Sequence, residues 1–233
     1  MEDREKSEKI KQLNAVKYLR FLYPIWTIIG LFSIMYVPST LIVLGDSLTT
    51  ANNIISNNLL FNLGIIGSLM TQLIHIWVVL LLYRLFKPVD VKNSLILVIL
   101  GLVGVPIAML NTLNLVAARL LLSGADYLKV FEIDQLQALS MFFINLNNEG
   151  ILIATIFWGL WLFPLGILIY KSNYFPKILG IFMLISGTGF FIQPFLHYLI
   201  PSLESIFLPV IYIMTMGELL FMIWVLFKGA KIS

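Results

Sequence analysis

The chain has 233 residues, 60% hydrophobic and only 12% charged, with a mean hydropathy of +0.96; soluble domains carry about 25% charged residues, and this much apolar surface in water would aggregate, which excludes a water-soluble globule. The absence of cysteine excludes disulfides, thiolate metal sites, haem attachment and cysteine nucleophiles, and two histidines, His75 and His197, argue against a histidine-built metal centre. The net charge of +3 is carried by Lys and Arg that flank apolar stretches, a topology signal and not a nucleic-acid footprint.

Residues 1–17 read as a solvated, cytoplasmic charged helix or arm, in which Arg4, Lys6, Lys9, Lys11 and Lys17 alternate with Glu2, Asp3, Glu5 and Glu8. A cleaved signal peptide fits poorly, because the charged region is long and no small-residue cleavage site follows Tyr36. The remainder, 18–233, is expected to be a single all-α membrane domain of six transmembrane helices near 18–36, 59–83, 94–122, 150–170, 176–199 and 205–227. Each stretch approaches the ~20 residues that cross a hydrocarbon core of about 30 Å. Continuous apolar runs, not ten-residue alternation, select helices over a barrel.

Basic residues set the orientation. Arg84, Lys87 and Lys92 lie between the second and third helices, Lys171 and Lys177 between the fourth and fifth, and Lys228 and Lys231 after the sixth. The opposite loops hold Lys129, with Arg119 at the outer end of the third helix, and are acidic through Asp46, Asp126, Glu132, Asp134, Glu149 and Glu204. This asymmetry places both termini in the cytoplasm, and the protein is expected in the plasma membrane. Two outer loops carry helix signals: Asp46 as the cap of a short helix, and Asp134 at the start of an amphipathic helix leading into the fourth span.

There is no HExxH, no GxxxxGK[ST] phosphate loop and no GxSxG elbow, so chemistry must be sought in polar residues within the membrane. Helical spacing puts Ser68, Thr71, Gln72 and His75 on one face of the second helix, and Ser186, Gly189, Gln193 and His197 on one face of the fifth. The third helix adds Asn111 and Asn114, and the sixth adds Thr215 and Glu218. At a rise of about 1.5 Å per residue, His75 lies roughly 13 Å from Arg84 and Glu218 roughly 15 Å from Lys228, so both are near mid-membrane and within reach of each other; His197 lies near the outer surface. The different depths of the two histidines argue against joint ligation of one haem. The pattern predicts a polar crevice open outward, with His75, Gln72, Gln193, Asn111, Asn114 and Glu218 inside and Arg119, Glu149 and His197 around its mouth. Competing structural roles are interhelical hydrogen bonding for Glu218 and His75, and snorkelling of Arg119 or its pairing with Glu149 or Asp126. The Asn145, Asn147 and Asn148 cluster reads as a helix entry. Gly159/Gly166 and Gly180/Gly187, each seven apart, read as close-packing positions.

MYVPSTLIVLGDSLTTANNI, LLYRLFKPV, FEIDQLQALSMFFINLNNEG, IFWGLWLFPLGILIYKSNYFPKILGIFMLISGTGF and GELLFMIWVLFKG, in that order and spacing, resemble a bacterial membrane family known as domain of unknown function 4386, from about residue 20 onward. The resemblance implies a multi-helix membrane protein and brings no activity, cofactor or catalytic residue with it. The family's pattern often has histidine where Asn147 and Trp161 stand, whereas Glu218 matches it and is the first residue to test.

Three functions compete. The first is a binding or accessory membrane protein, without cofactor, that holds a small or lipophilic ligand or a partner in the crevice. The second is a small secondary transporter using Glu218 as a proton-coupling group, with Pro106, Pro164 and Pro194 as helix interrupters. The third is a membrane-embedded enzyme with His75 and Glu218 as acid and base, a reading that lacks a nucleophile.

Overall fold

A computed structural model describes residues 2–232, with side chains from residue 6, so the side chains of Glu2, Asp3, Arg4 and Glu5 lie outside the described residues. The described residues are helical and contain no strand. The helices are α1 (Glu2–Leu31), α2 (Val37–Leu41), α3 (Ser47–Ser56), α4 (Asn58–Phe86), α5 (Val91–Asn111), α6 (Leu113–Leu121), α7 (Ile133–Leu160), α8 (Leu162–Ser172), α9 (Lys177–Leu199) and α10 (Pro201–Lys228), with a 3-10 turn at Asp126–Leu128. Six stretches are long and apolar enough to cross a membrane: Lys6–Leu41, Asn58–Phe86, Val91–Leu121, Ile133–Ser172, Lys177–Leu199 and Pro201–Lys228.

The spans run longer than the apolar segments because capping and amphipathic turns extend them. The charged arm is part of α1 and is not wholly solvated. Gln12, Ala15, Val16, Leu19 and Tyr23 recur at three- and four-residue steps and are all buried. Gln12 donates its amide to the Leu85 carbonyl and to Tyr174 Oη, both at 2.9 Å, and Arg20 donates to the terminal carbonyls of Leu226 and Phe227, capping α10. The fourth span begins at Ile133, because the helix that Asp134 opens runs into it without a break.

Two caps follow from the sequence. Asp46 accepts from the Thr49 N–H and hydroxyl at the start of α3, and those two bonds hold its carboxyl below the usual range. Asp90 does the same for α5, accepting from Lys171 Nζ at 2.8 Å and from the Asn93 N–H and side-chain amide. The lysine bond first, then those from Asn93, hold its carboxyl well below the ordinary carboxylate range. A depressed pKa contributes stability above the unfolded value of about 4, lost as pH falls below it. Asp90→Asn is therefore expected to melt below wild type at pH 7, with the gap closing as both are scanned below about pH 4; a gap that stays constant with pH would refute the charge contribution.

Prolines interrupt two spans and leave two others helical around the ring. Ahead of Pro38, the turn Phe32–Tyr36 is widened, with the Val37 N–H bonded back to Phe32. Pro164 has no N–H for the Leu160 carbonyl, and the fourth span breaks at Trp161 between α7 and α8. The third span breaks at Thr112, beyond Pro106, while Pro194 sits inside an unbroken α9.

The chain divides into two compact units. One comprises residues 1–25, 74–105 and 152–233; the other comprises 26–73 and 106–151. In the first, Gly159 meets the Gly187 carbonyl and Gly166 meets that of Gly180, so the two seven-residue spacings match in antiparallel register along α7–α8 and α9. The second is built around Val37, Leu41, Ile54, Phe61, Ile65, Ala118 and Ile144.

Candidate functional site

Glu218 lies half-buried on α10. Its hydrogen-bond partner is Tyr23 of α1, whose hydroxyl donates to Oε1 at 3.2 Å. Tyr23 is 1% exposed and stands edge-on to Phe221, one turn beyond Glu218, with ring centroids 6.0 Å apart. Phe221 meets Phe175, which meets Phe86, which stacks on Tyr174. A continuous aromatic row thus leads from the carboxylate to the tyrosine that Gln12 holds. The row excludes water from one side of the Tyr23–Glu218 pair and fixes the phenol by packing.

His75 is also buried, but it does not meet Glu218. Its Nε2 lies 3.2 Å from the Gly101 carbonyl, and its ring stands edge-on to Trp161 at 5.0 Å. Gly101 permits this approach, since a Cβ there would lie 2.9 Å from a Val79 methyl. The expectation that equal depth brings His75 and Glu218 together fails because depth fixes only height in the membrane. Azimuth around each helix turns them to different neighbours. The enzyme reading thereby loses its acid–base pair.

His197, at the end of α9, holds both carboxylate oxygens of Glu204, in the first turn of α10, at 2.9 Å from Nδ1. This contact joins the two helices across the Ile200 turn. Gln193 is half-buried one turn earlier on α9.

The other unit gathers the asparagines. Asn111 Nδ2 donates to the Asn147 carbonyl at 2.8 Å and Asn147 Nδ2 returns a bond to the Asn111 carbonyl at 3.1 Å. Asn114 donates to Asn111 Oδ1. This clasp accounts for the break in the third span. The Asn111 carbonyl accepts from Asn147, and the Leu115 N–H, its ordinary helical donor, is bonded to Thr112 instead. Gly150 supplies the room, because a Cβ there would collide with the Asn111 amide. Asn147 is therefore a buried mid-helix residue of α7 and not a helix entry.

Beside the clasp lies a small pocket of about 30 Å³, lined by Ser33, Val37 and Pro38 of the widened turn region and by Asn147 and Asn148. That volume holds one or two waters and no organic ligand. Arg119 is exposed and donates to Asn62 Oδ1 at 3.0 Å, not to Glu149 or Asp126; Asp126 pairs with Lys129. Gln72 is buried on α4 and Glu149 half-buried on α7. Among the described residues no three His, Asp or Glu side chains group as metal ligands.

Of the expected site residues, the structure joins Asn111 to Asn114 but gives His75, His197, Arg119 and Glu218 separate partners. Tyr23 and Asn147 are the two participants that sequence reasoning missed. Tyr23 had a findable signal, as it continues the buried three- and four-residue face of α1.

Residues 21–229 match the family described as Domain of unknown function (DUF4386). An uncharacterized protein of the archaeon Archaeoglobus fulgidus is 31% identical over 171 residues, covering 73% of this chain and 86% of that protein. That relative is archaeal, whereas the resemblance suggested a bacterial family. No solved structure matches. The chain, whose described residues hold six helical spans of membrane length, belongs to the DUF4386 family.

Proposed function

We propose that this multi-pass membrane protein is a binding or accessory protein that takes a small or lipophilic ligand, with Glu218 as its polar anchor. The observation that carries the reading is the carboxylate's unused capacity. An ionised carboxylate has about four acceptor positions, and among the described residues Glu218 receives one bond, from Tyr23. A carboxylate within an apolar span is costly to keep, and one fixed by a single rigid phenol remains able to accept a ligand's N–H or O–H. The basic residues following the second, fourth and sixth spans support cytoplasmic termini in a plasma membrane.

Glu218→Gln keeps an oxygen acceptor for Tyr23 and removes the charge. Its melting temperature in detergent is expected to equal or exceed that of wild type, because a carboxylate kept for function is held at a stability cost. In a thermal-shift screen, ligands that stabilise wild type, by about 2.7 kcal/mol at a hundredfold excess over Kd, are expected to lose their effect on the variant, with no solute flux in proteoliposomes. A variant that melts far below wild type, with no compound separating the two, would reduce Glu218 to a packing partner.

The helix interruptions favour one second reading. The widened turn before Pro38 and the breaks at Thr112 and Trp161 give three spans discontinuous backbone, a feature of secondary transporters. Proton-gradient-driven uptake abolished by Glu218→Gln would favour transport over binding alone.

A further inference from the structure

A second cleft lies between α1 and the end of α4, lined by Glu8, Lys11 and Tyr18 on one side and Tyr83, Arg84 and Lys87 on the other, with a volume of about 520 Å³. We propose that it binds the phosphate headgroup of an anionic phospholipid, whose acyl chains run along the apolar surface below it.

Position is the first argument. Phe21–Leu41 is an apolar run of the length that crosses a bilayer, so Lys11 and Tyr18 stand at its water-side end. Arg84 and Lys87 end the apolar run of α4 in the same way. The cleft is thus at headgroup level, where tyrosine side chains also concentrate.

Charge is the second. Lys11 and Glu8 pair with each other at 2.8 Å, so they offset one another. Among the described residues neither Arg84 nor Lys87 is paired with a carboxylate; Lys87 lies 5.7 Å from the centre of the Tyr83 ring. Two cations from one helix end, with the Tyr18 phenol and the Asn14 amide of the α1 side opposite, match a phosphodiester.

Continuity with lipid is the third and selects a lipid over free phosphate. Tyr18, Phe21 and Ile25 form an exposed stripe on α1, and Trp77, two turns before Arg84, is 59% exposed on α4. A headgroup held at Arg84 would have acyl-compatible surface directly beneath it, whereas inorganic phosphate would gain nothing from that surface.

The test uses the purified full chain in a neutral detergent, titrated with dioleoylphosphatidylglycerol or dioleoylphosphatidylcholine and read by native mass spectrometry. Phosphatidylglycerol is expected to bind about tenfold more tightly. Arg84→Gln/Lys87→Gln is expected to abolish the preference, while Lys177→Gln/Lys228→Gln, removing equal charge elsewhere, keeps it. Because the chain has no cysteine, Asn14→Cys places a single thiol in the cleft, and phosphatidylglycerol is expected to slow its maleimide labelling in otherwise native protein. Equal binding of the two lipids, equal loss in the Lys177/Lys228 variant, or protection of the introduced thiol by inorganic phosphate alone would each overturn the proposal.

Discussion

Gly166→Leu is expected to destabilise the protein by about 3 kcal/mol or more, at or beyond the upper end of the overpacking range. Even a Cβ at 166 would lie 2.7 Å from the Gly180 carbonyl oxygen and 2.9 Å from Leu184. The first of these is backbone, which no rotamer change can relieve. Gly159 repeats the situation two turns away, where a Cβ would lie 2.6 Å from the Gly187 carbonyl and 2.7 Å from the Phe191 nitrogen. A leucine must therefore push α9 away along the whole seam. Within lipid the loss falls on close packing, because burial against another helix brings no hydrophobic gain over burial against acyl chains. Gly30→Ala is the control, since its Cβ would meet only the Thr71 side chain, no closer than 3.6 Å, and would relieve the helix cost of glycine, about 0.5–1 kcal/mol. Denaturant titration of the three proteins in mixed micelles reads the difference. Equal midpoints for Gly166→Leu and Gly30→Ala would dismiss the tight seam.

Trp161→Ala is expected to cost about 3–5 kcal/mol, the range for emptying a buried aromatic site. Trp161 is 2% exposed and fills the place where α7 gives way to α8. Its removal forfeits dispersion contacts on all sides and the edge-on contact with His75. Trp161→Phe keeps a ring in the site and is expected to recover more than half of the loss. Thermal unfolding followed by circular dichroism separates the two variants; an alanine variant as stable as the phenylalanine one would mean that the break collapses without strain.

The all-helical architecture, the six spans, the Asp46 cap and the close-packing role of the glycine pairs were legible because each is set by local sequence. A run of apolar residues needs no partner to identify it, and glycines seven apart on two neighbouring spans need only a register to meet. What stayed hidden depends on pairing across distance. Nothing near Glu218 points to Tyr23, 195 residues away, and nothing near Asn147 points to Asn111, whose carbonyl it captures. Helical rise gave His75 and Glu218 similar expected depths, yet rise carries no information about which neighbour each helix faces. Arg119 illustrates the same limit from the surface, since formal charge suggested a carboxylate where geometry supplied Asn62. The buried face of α1 was present in the sequence as Gln12, Ala15, Val16, Leu19 and Tyr23, but surrounding charge masked its period.

The fasteners of α1 also constrain the order of assembly. Gln12 reaches Tyr174, Tyr23 reaches Glu218, and Arg20 reaches Leu226 and Phe227. All of these partners are synthesised late, the last of them within the final turns of α10. The last of these fasteners of α1 consequently close only after α10 is made, whereas α8 and α9, joined through the left-handed Asn173, become neighbours as soon as both are made. Short-range closure costs little chain entropy and long-range closure costs more. During synthesis α1 therefore has the Leu85 carbonyl of α4 as its early partner, while Tyr23 and Arg20 wait for α10.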